Sequence, residues 1–81
     1  MALYRTSTKL NPSEIIEEAA KFFGPGGLGL QITGRDDCCI TFEGGGGHVS
    51  VSTVSGEKRT EVELAAREWD YDVRRFMGKI A

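Results

Sequence analysis

The residues of this chain that could do chemistry make a short inventory. There is one histidine, His48, and two adjacent cysteines, Cys38 and Cys39. There are also two glycine-rich stretches, Gly24-Pro25-Gly26-Gly27-Leu28-Gly29 and Gly44 to Gly47. A thiol and an imidazole can act as nucleophile and base when their heavy atoms come within about 3.2 Å. The four glycines lie between two alternating stretches, Cys38 to Glu43 and His48 to Thr53. Folded back as a hairpin, these put Cys39 and His48 on one face about four residues apart, or ~13 Å at roughly 3.3 Å per residue. That spacing excludes a Cys–His dyad. Cys38 falls on the opposite, core-directed face, where a free cysteine behaves as a small hydrophobe. Neighbours in a strand point to opposite faces, so the two cysteines are not expected to form an ordinary disulfide. With one histidine and no second cysteine pair, a zinc site within one chain is not expected either.

The glycine stretches read as turns. A phosphate cradle needs backbone amides opening a helix. Gly44 to Gly47 leads into a strand, and no Gly-Lys-Ser/Thr follows it. The stretch from Gly24 to Gly29 runs from helix to strand, the reverse of a dinucleotide fingerprint. Four glycines exceed what a turn requires, which implies mobility or a close approach to bare backbone. Glu43 opposite His48 would favour the imidazolium, but a general-base unit needs a third group and a pocket. Glu68 and Asp72 stand at i, i+4 on the last helix, and two carboxylates alone make a poor cation cage. Asp70 and Arg74 have the spacing of a helical ion pair. Trp69 reads as core and Tyr71 as an exposed contact residue. No catalytic, cofactor or metal residues are assigned.

The elements that hold these residues follow from periodicity. Asn11 as N-cap, Pro12 at the first helical position and Glu14 as capping-box acid start a helix. Leu10 and Ile15 have the spacing of a hydrophobic staple. Ile15, Ile16, Ala19, Phe22 and Phe23 form its apolar face, and Gly24-Pro25 ends it. Four alternating strands follow. Their inward residues are Leu28, Leu30 and Ile32, then Cys38, Ile40 and Phe42, then Val49, Val51 and Thr53, then Val62 and Leu64. The segment from Glu61 to Ala66 could equally begin the last helix. Across the glycines, Glu43 faces His48, Phe42 faces Val49 and Ile40 faces Val51. Turns through Gly34-Arg35-Asp36 and Gly56 to Arg59 pair Ile32 with Cys38 and Val51 with Leu64. A last helix from about Arg67 to Ile80 carries Trp69, Val73, Phe76, Met77 and Ile80 as its stripe.

The expected fold is one α+β domain over residues 1–81. It is a two-layer sandwich, helix–four-stranded antiparallel meander–helix, with both helices on one sheet face. The chain has 81 residues, 27% of them charged, and a net charge of −2. No basic patch larger than Arg74-Arg75 occurs, so nucleic acid is not an expected partner. The first ten residues lack the apolar run of a signal peptide, and no stretch approaches the roughly 18 apolar residues of a spanning helix. The chain therefore reads as cytoplasmic and not membrane-bound.

The helix–strands–helix order resembles double-stranded-RNA-binding domains in topology alone, which implies duplex RNA as ligand. The second helix here opens Arg67-Glu68-Trp69-Asp70, half acidic where such domains grip phosphate. A strand meander ending in a long helix is likewise similar to the end of START-like ligand-binding folds, and the chain is short for their large cavity. It is assigned to neither family. The expected role is non-enzymatic: a protein-interaction module or homodimer, with Gln31, Thr33, Thr41, His48, Ser50 and Ser52 as its interaction surface. The alternative is a small-ligand site between helices and sheet, lined by Phe23, Phe42, Trp69 and Phe76.

Overall fold

The computed structural model describes all 81 residues. The element order is β1 (Ala2–Thr8), α1 (Pro12–Phe23), β2 (Gln31–Arg35), β3 (Cys39–Gly44), β4 (Gly47–Ser55), β5 (Thr60–Arg67) and α2 (Asp70–Ile80). The strands form one antiparallel sheet in the order β1-β5-β4-β3-β2. The sheet thus has five strands, not four, and the additional one is the N-terminal segment. Its core-directed positions are Ala2, Tyr4, Thr6 and Thr8, opposite Ala66, Leu64, Val62 and Thr60. Small and hydroxyl-bearing residues occupy three of those four positions, so the apolar alternation that marks a half-buried strand is missing. With β1 in place, β5 is interior and the sheet edges are β1 and β2. The segment from Glu61 to Ala66 is strand.

α1 starts as the sequence dictates. The Glu14 amide donates to Asn11 Oδ1 at 2.9 Å, and the Asn11 amide donates to Glu14 Oε1 at 3.0 Å. Beyond its C-terminus the chain folds back on the helix end instead of entering the sheet at Leu28. The amides of Leu28 and Leu30 donate to the carbonyls of Phe22 and Phe23. They cap the helix, so β2 begins only at Gln31.

The register between β3 and β4 pairs Phe42 with Val49 and Ile40 with Val51, and Val51 meets Leu64 on β5. Ile32 faces Phe42, not Cys38, with a bulge between Ile32 and Gly34. The cause lies in the connection. Asp36 turns the chain, its amide donating to the Cys39 carbonyl at 2.9 Å, so Gly34 and Arg35 belong to the strand.

Every buried strand residue shares one parity: Thr8, Ile40, Phe42, Val49, Val51, Thr53, Thr60, Val62, Leu64 and Ala66. Their apolar members form one cluster with Ile15, Ile16, Ala19 and Phe23 of α1 and with Val73, Phe76 and Ile80 of α2. At its centre the ring centroids of Phe23 lie 5.4 Å from Phe42 and 5.3 Å from Phe76. Offset and tilted rings at such distances add to the stabilisation from burial. Buried polar groups are satisfied, Thr8 donating to the Ile80 carbonyl and Thr53 to the Cys38 carbonyl.

α2 begins at Asp70, three residues later than the periodicity suggests. Glu68 takes φ +74° and turns the chain from strand to helix. Glu68 and Asp72 therefore do not share a helical face. Asp70 accepts from the Tyr4 hydroxyl at 2.8 Å rather than pairing with Arg74, and Asp72 pairs with Arg75 at 3.1 Å. That bond to Asp70 is the main reason the Tyr4 phenol is held above its usual pKa of 10.0. Partial desolvation and the Asp70 charge act the same way, and Arg74 opposes them.

Candidate functional site

The second parity of the sheet gives a polar face crossed by three rows of side chains that each span four strands, with Val54, Glu61 and Ser7 in a shorter row beyond them. The first row runs from edge to interior through Gln31, Glu43, His48 and Arg67, each opposite the next. An open depression of about 480 Å³ lies over it and over the glycine tip. His48 sits opposite Glu43, as the hairpin register requires. Its Nε2 lies 3.4 Å from the Met1 thioether sulfur, and no hydrogen bond joins it to the Glu43 carboxylate. The second row is Thr41, Ser50, Ala65 and Leu3. Thr33, at the bulge, shares a 2.9 Å hydrogen bond with Thr41. The third row is Cys39, Ser52, Glu63 and Arg5, ending in a 3.0 Å ion pair between Arg5 and Glu63.

All six residues read from the sequence as an interaction surface lie on this one face. Gln31 and Thr33 are exposed at the β2 edge, and Thr41, His48, Ser50 and Ser52 are half-buried in the interior. Sequence reasoning missed the contribution of β1 and β5: Leu3, Arg5, Ala65 and Arg67. Leu3 is 69% exposed and Val54, at the far end of β4, is 67% exposed. For Ala65 and Arg67 the alternation of Glu61 and Glu63 with Val62 and Leu64 was the available signal, and β1 offered none.

The glycine tip is a tight turn. Gly44 pairs with Gly47, and Gly45 and Gly46 form the two-residue turn between them with φ +59° and +80°. Two consecutive positive φ angles match the twist of flanking strands and favour glycine. Trp69 approaches the turn closely. Its indole Nε1 donates to the Gly44 carbonyl at 2.9 Å, and a Cβ on Gly45 would stand 2.8 Å from Trp69 Cζ2. Trp69 is half-buried against the core edge and seals the hairpin onto the start of α2.

The cysteines correct two expectations. Cys38 and Cys39 are joined by a disulfide, and Cys38 is exposed rather than core-directed. The strand argument fails because Cys38 is not in a strand. The Asp36 carboxylate accepts from the amides of Cys38 and Cys39 at 3.0 and 2.9 Å, a local side-chain turn that competes with extended pairing. The oxygen of Asp36 and the two sulfurs lie within 4.8 Å of one another.

No protein-family model matches the sequence, and no curated protein is significantly similar to it. No helix of the structure is long and apolar enough to cross a membrane.

Proposed function

We propose that this chain is a non-enzymatic interaction module that uses the polar face of its sheet to bind another protein surface, in the first instance a second copy of itself. In this reading both helices cover the opposite face. The observation that carries it is the single parity of the buried strand residues and their shared cluster with the buried residues of both helices. Five strands then present a face that nothing in this chain covers. The interior of that face is small and hydroxyl-rich (Thr41, Ser50, Ser52, Ala65), with charges of both signs around it: Arg5 and Arg67, Glu43, Glu61 and Glu63. Mixed charge suits a self-complementary two-fold contact, in which each patch meets its own copy.

Five strands about 4.8 Å apart and seven residues long give a face on the order of 500 Å². Two copies would bury on the order of 1,000 Å² together, the size of weak, transient interfaces. Neither the net charge of −2 nor the charge pattern of this face favours a nucleic-acid partner. A small ligand between helices and sheet would have to displace Phe23, Phe42 and Phe76 from their mutual contacts. The proposed compartment is the reducing cytoplasm, where adjacent cysteines are held as thiols.

Sedimentation velocity over a wide concentration range tests the reading. Wild type is expected to associate reversibly at high concentration, while Ser50→Asp at the centre of the face stays monomeric and folded. A wild type that remains monomeric throughout would sink the homodimer and leave a heterologous protein partner.

A further inference from the structure

The Cys38–Cys39 bond contributes little to holding the fold. A cross-link stabilises mainly by closing a loop in the unfolded chain, and between adjacent residues there is no loop to close. The turn is shaped by other means. The Asp36 carboxylate accepts both cysteine amides. The Cys38 carbonyl accepts from the Thr53 amide and from the Thr53 hydroxyl at 2.9 and 2.8 Å. The Asp36 amide donates to the Cys39 carbonyl at 2.9 Å. None of these bonds uses a sulfur, so reduction removes none of them directly.

We propose that the reduced pair, together with Asp36, is a binding site for one thiophilic metal ion, opened and closed by the redox state of the cysteines. In the opening step a thiolate of an external dithiol attacks one cysteine sulfur, and its second thiol resolves the mixed disulfide. The dithiol leaves as a cyclic disulfide. Its two electrons and two protons end on the cysteines as two thiols. In the binding step the thiols bind a divalent soft cation as thiolates and release two protons to solvent. Soft thiolates select such cations over hard ones. Asp36 accepts both amides through Oδ1, leaving Oδ2 free as a third, anionic ligand. Asp36 and Cys38 are exposed and Cys39 half-buried, so the ion enters directly from solvent. In the disulfide both sulfurs are bonded to each other, and the site is closed.

The test uses the full chain and Cd²⁺ alone. Protein reduced with a dithiol, which is then removed under nitrogen, is titrated calorimetrically, and native mass spectrometry counts ions per chain. Reduced wild type is expected to take up one Cd²⁺ per chain, and diamide-oxidised protein none. Asp36→Asn keeps the oxygen that accepts the two amides but replaces the ligating oxygen by an NH2 group that cannot hold a cation, so it is expected to bind at least about tenfold more weakly. Cys39→Ser loses a direct ligand and is expected to lose more than about a hundredfold. The proposal is overturned if reduced wild type takes up no Cd²⁺ or shares one ion between two chains. It is overturned equally if the Cys38→Ser/Cys39→Ser double variant binds as tightly as wild type. Loss of the circular dichroism spectrum on reduction would also overturn it, because the site is built on a turn that must persist without the bond.

Discussion

Gly45 and Gly46 sit side by side in the same turn with φ angles of the same sign, yet they answer to different constraints. A Cβ on Gly45 would collide with the Trp69 ring, whereas nothing lies within 4 Å of one on Gly46. Gly45→Ala is therefore expected to destabilise by about 2 kcal/mol, from left-handed backbone strain plus displacement of the indole. Gly46→Asn is expected to cost only a few tenths, because asparagine tolerates that backbone region. Urea denaturation of the two variants checks this, and equal costs would mean that Trp69 does not constrain the turn. That a hairpin turns at these glycines was legible from the alternation on either side. The reason for the flanking glycines was not, because the groups that crowd them, Leu30 at Gly44 and the Arg67 carbonyl at Gly47, are distant in the chain. The cysteines were misread for a similar reason. Strand parity governs neighbours only where the chain is extended, and one carboxylate, Asp36, takes Cys38 out of the strand.

Elements were legible where their own residues announce them. Asn11, Pro12 and Glu14 state the start of α1, and the structure forms that capping box. β1 was not legible, since its inward positions are filled largely by Ala2, Thr6 and Thr8, whose fit depends on β5 beside them. The junction of β5 and α2 was also obscured. Acidic and basic residues at helical spacing run back to Arg67, but the helix stops short of them because Glu68 turns the backbone with φ +74°. A non-glycine residue there carries about 1–2 kcal/mol of strain. Glu68→Gly removes it at an entropic cost of roughly 0.5–1 kcal/mol. A net gain of about 0.5 kcal/mol is expected, read as a rise in the melting temperature. A fall would mean that the Glu68 side chain supplies more than its backbone costs.

For the molecule as a whole, the two faces of the sheet are expected to respond oppositely to charge. Val51→Asp places an unpaired carboxylate at a fully buried position, at a cost of several kcal/mol, comparable to the stability of a small domain. Ser50→Asp, one residue away on the other parity, leaves the fold intact. Circular dichroism of both variants decides the point, and loss of structure in both would mean that the polar face is covered after all. The order β1-β5-β4-β3-β2 has a kinetic consequence as well. The hairpins of β2 to β5 close over short turns, whereas β1 meets β5 only after almost the whole chain has been brought round, as in the pairing of Ala2 with Ala66. Contacts of large sequence separation require the most loop-closure entropy and tend to form late. Thr8→Ala, which deletes the hydroxyl contact to Ile80, is therefore expected to speed unfolding and leave the refolding rate nearly unchanged in stopped-flow measurements. A slowed refolding limb would put β1 in the nucleus. On a ribosome the same geometry imposes a wait. β1 leaves the ribosome before β5 and cannot pair until β5 has cleared the exit tunnel, so it stays unpaired while the intervening strands emerge.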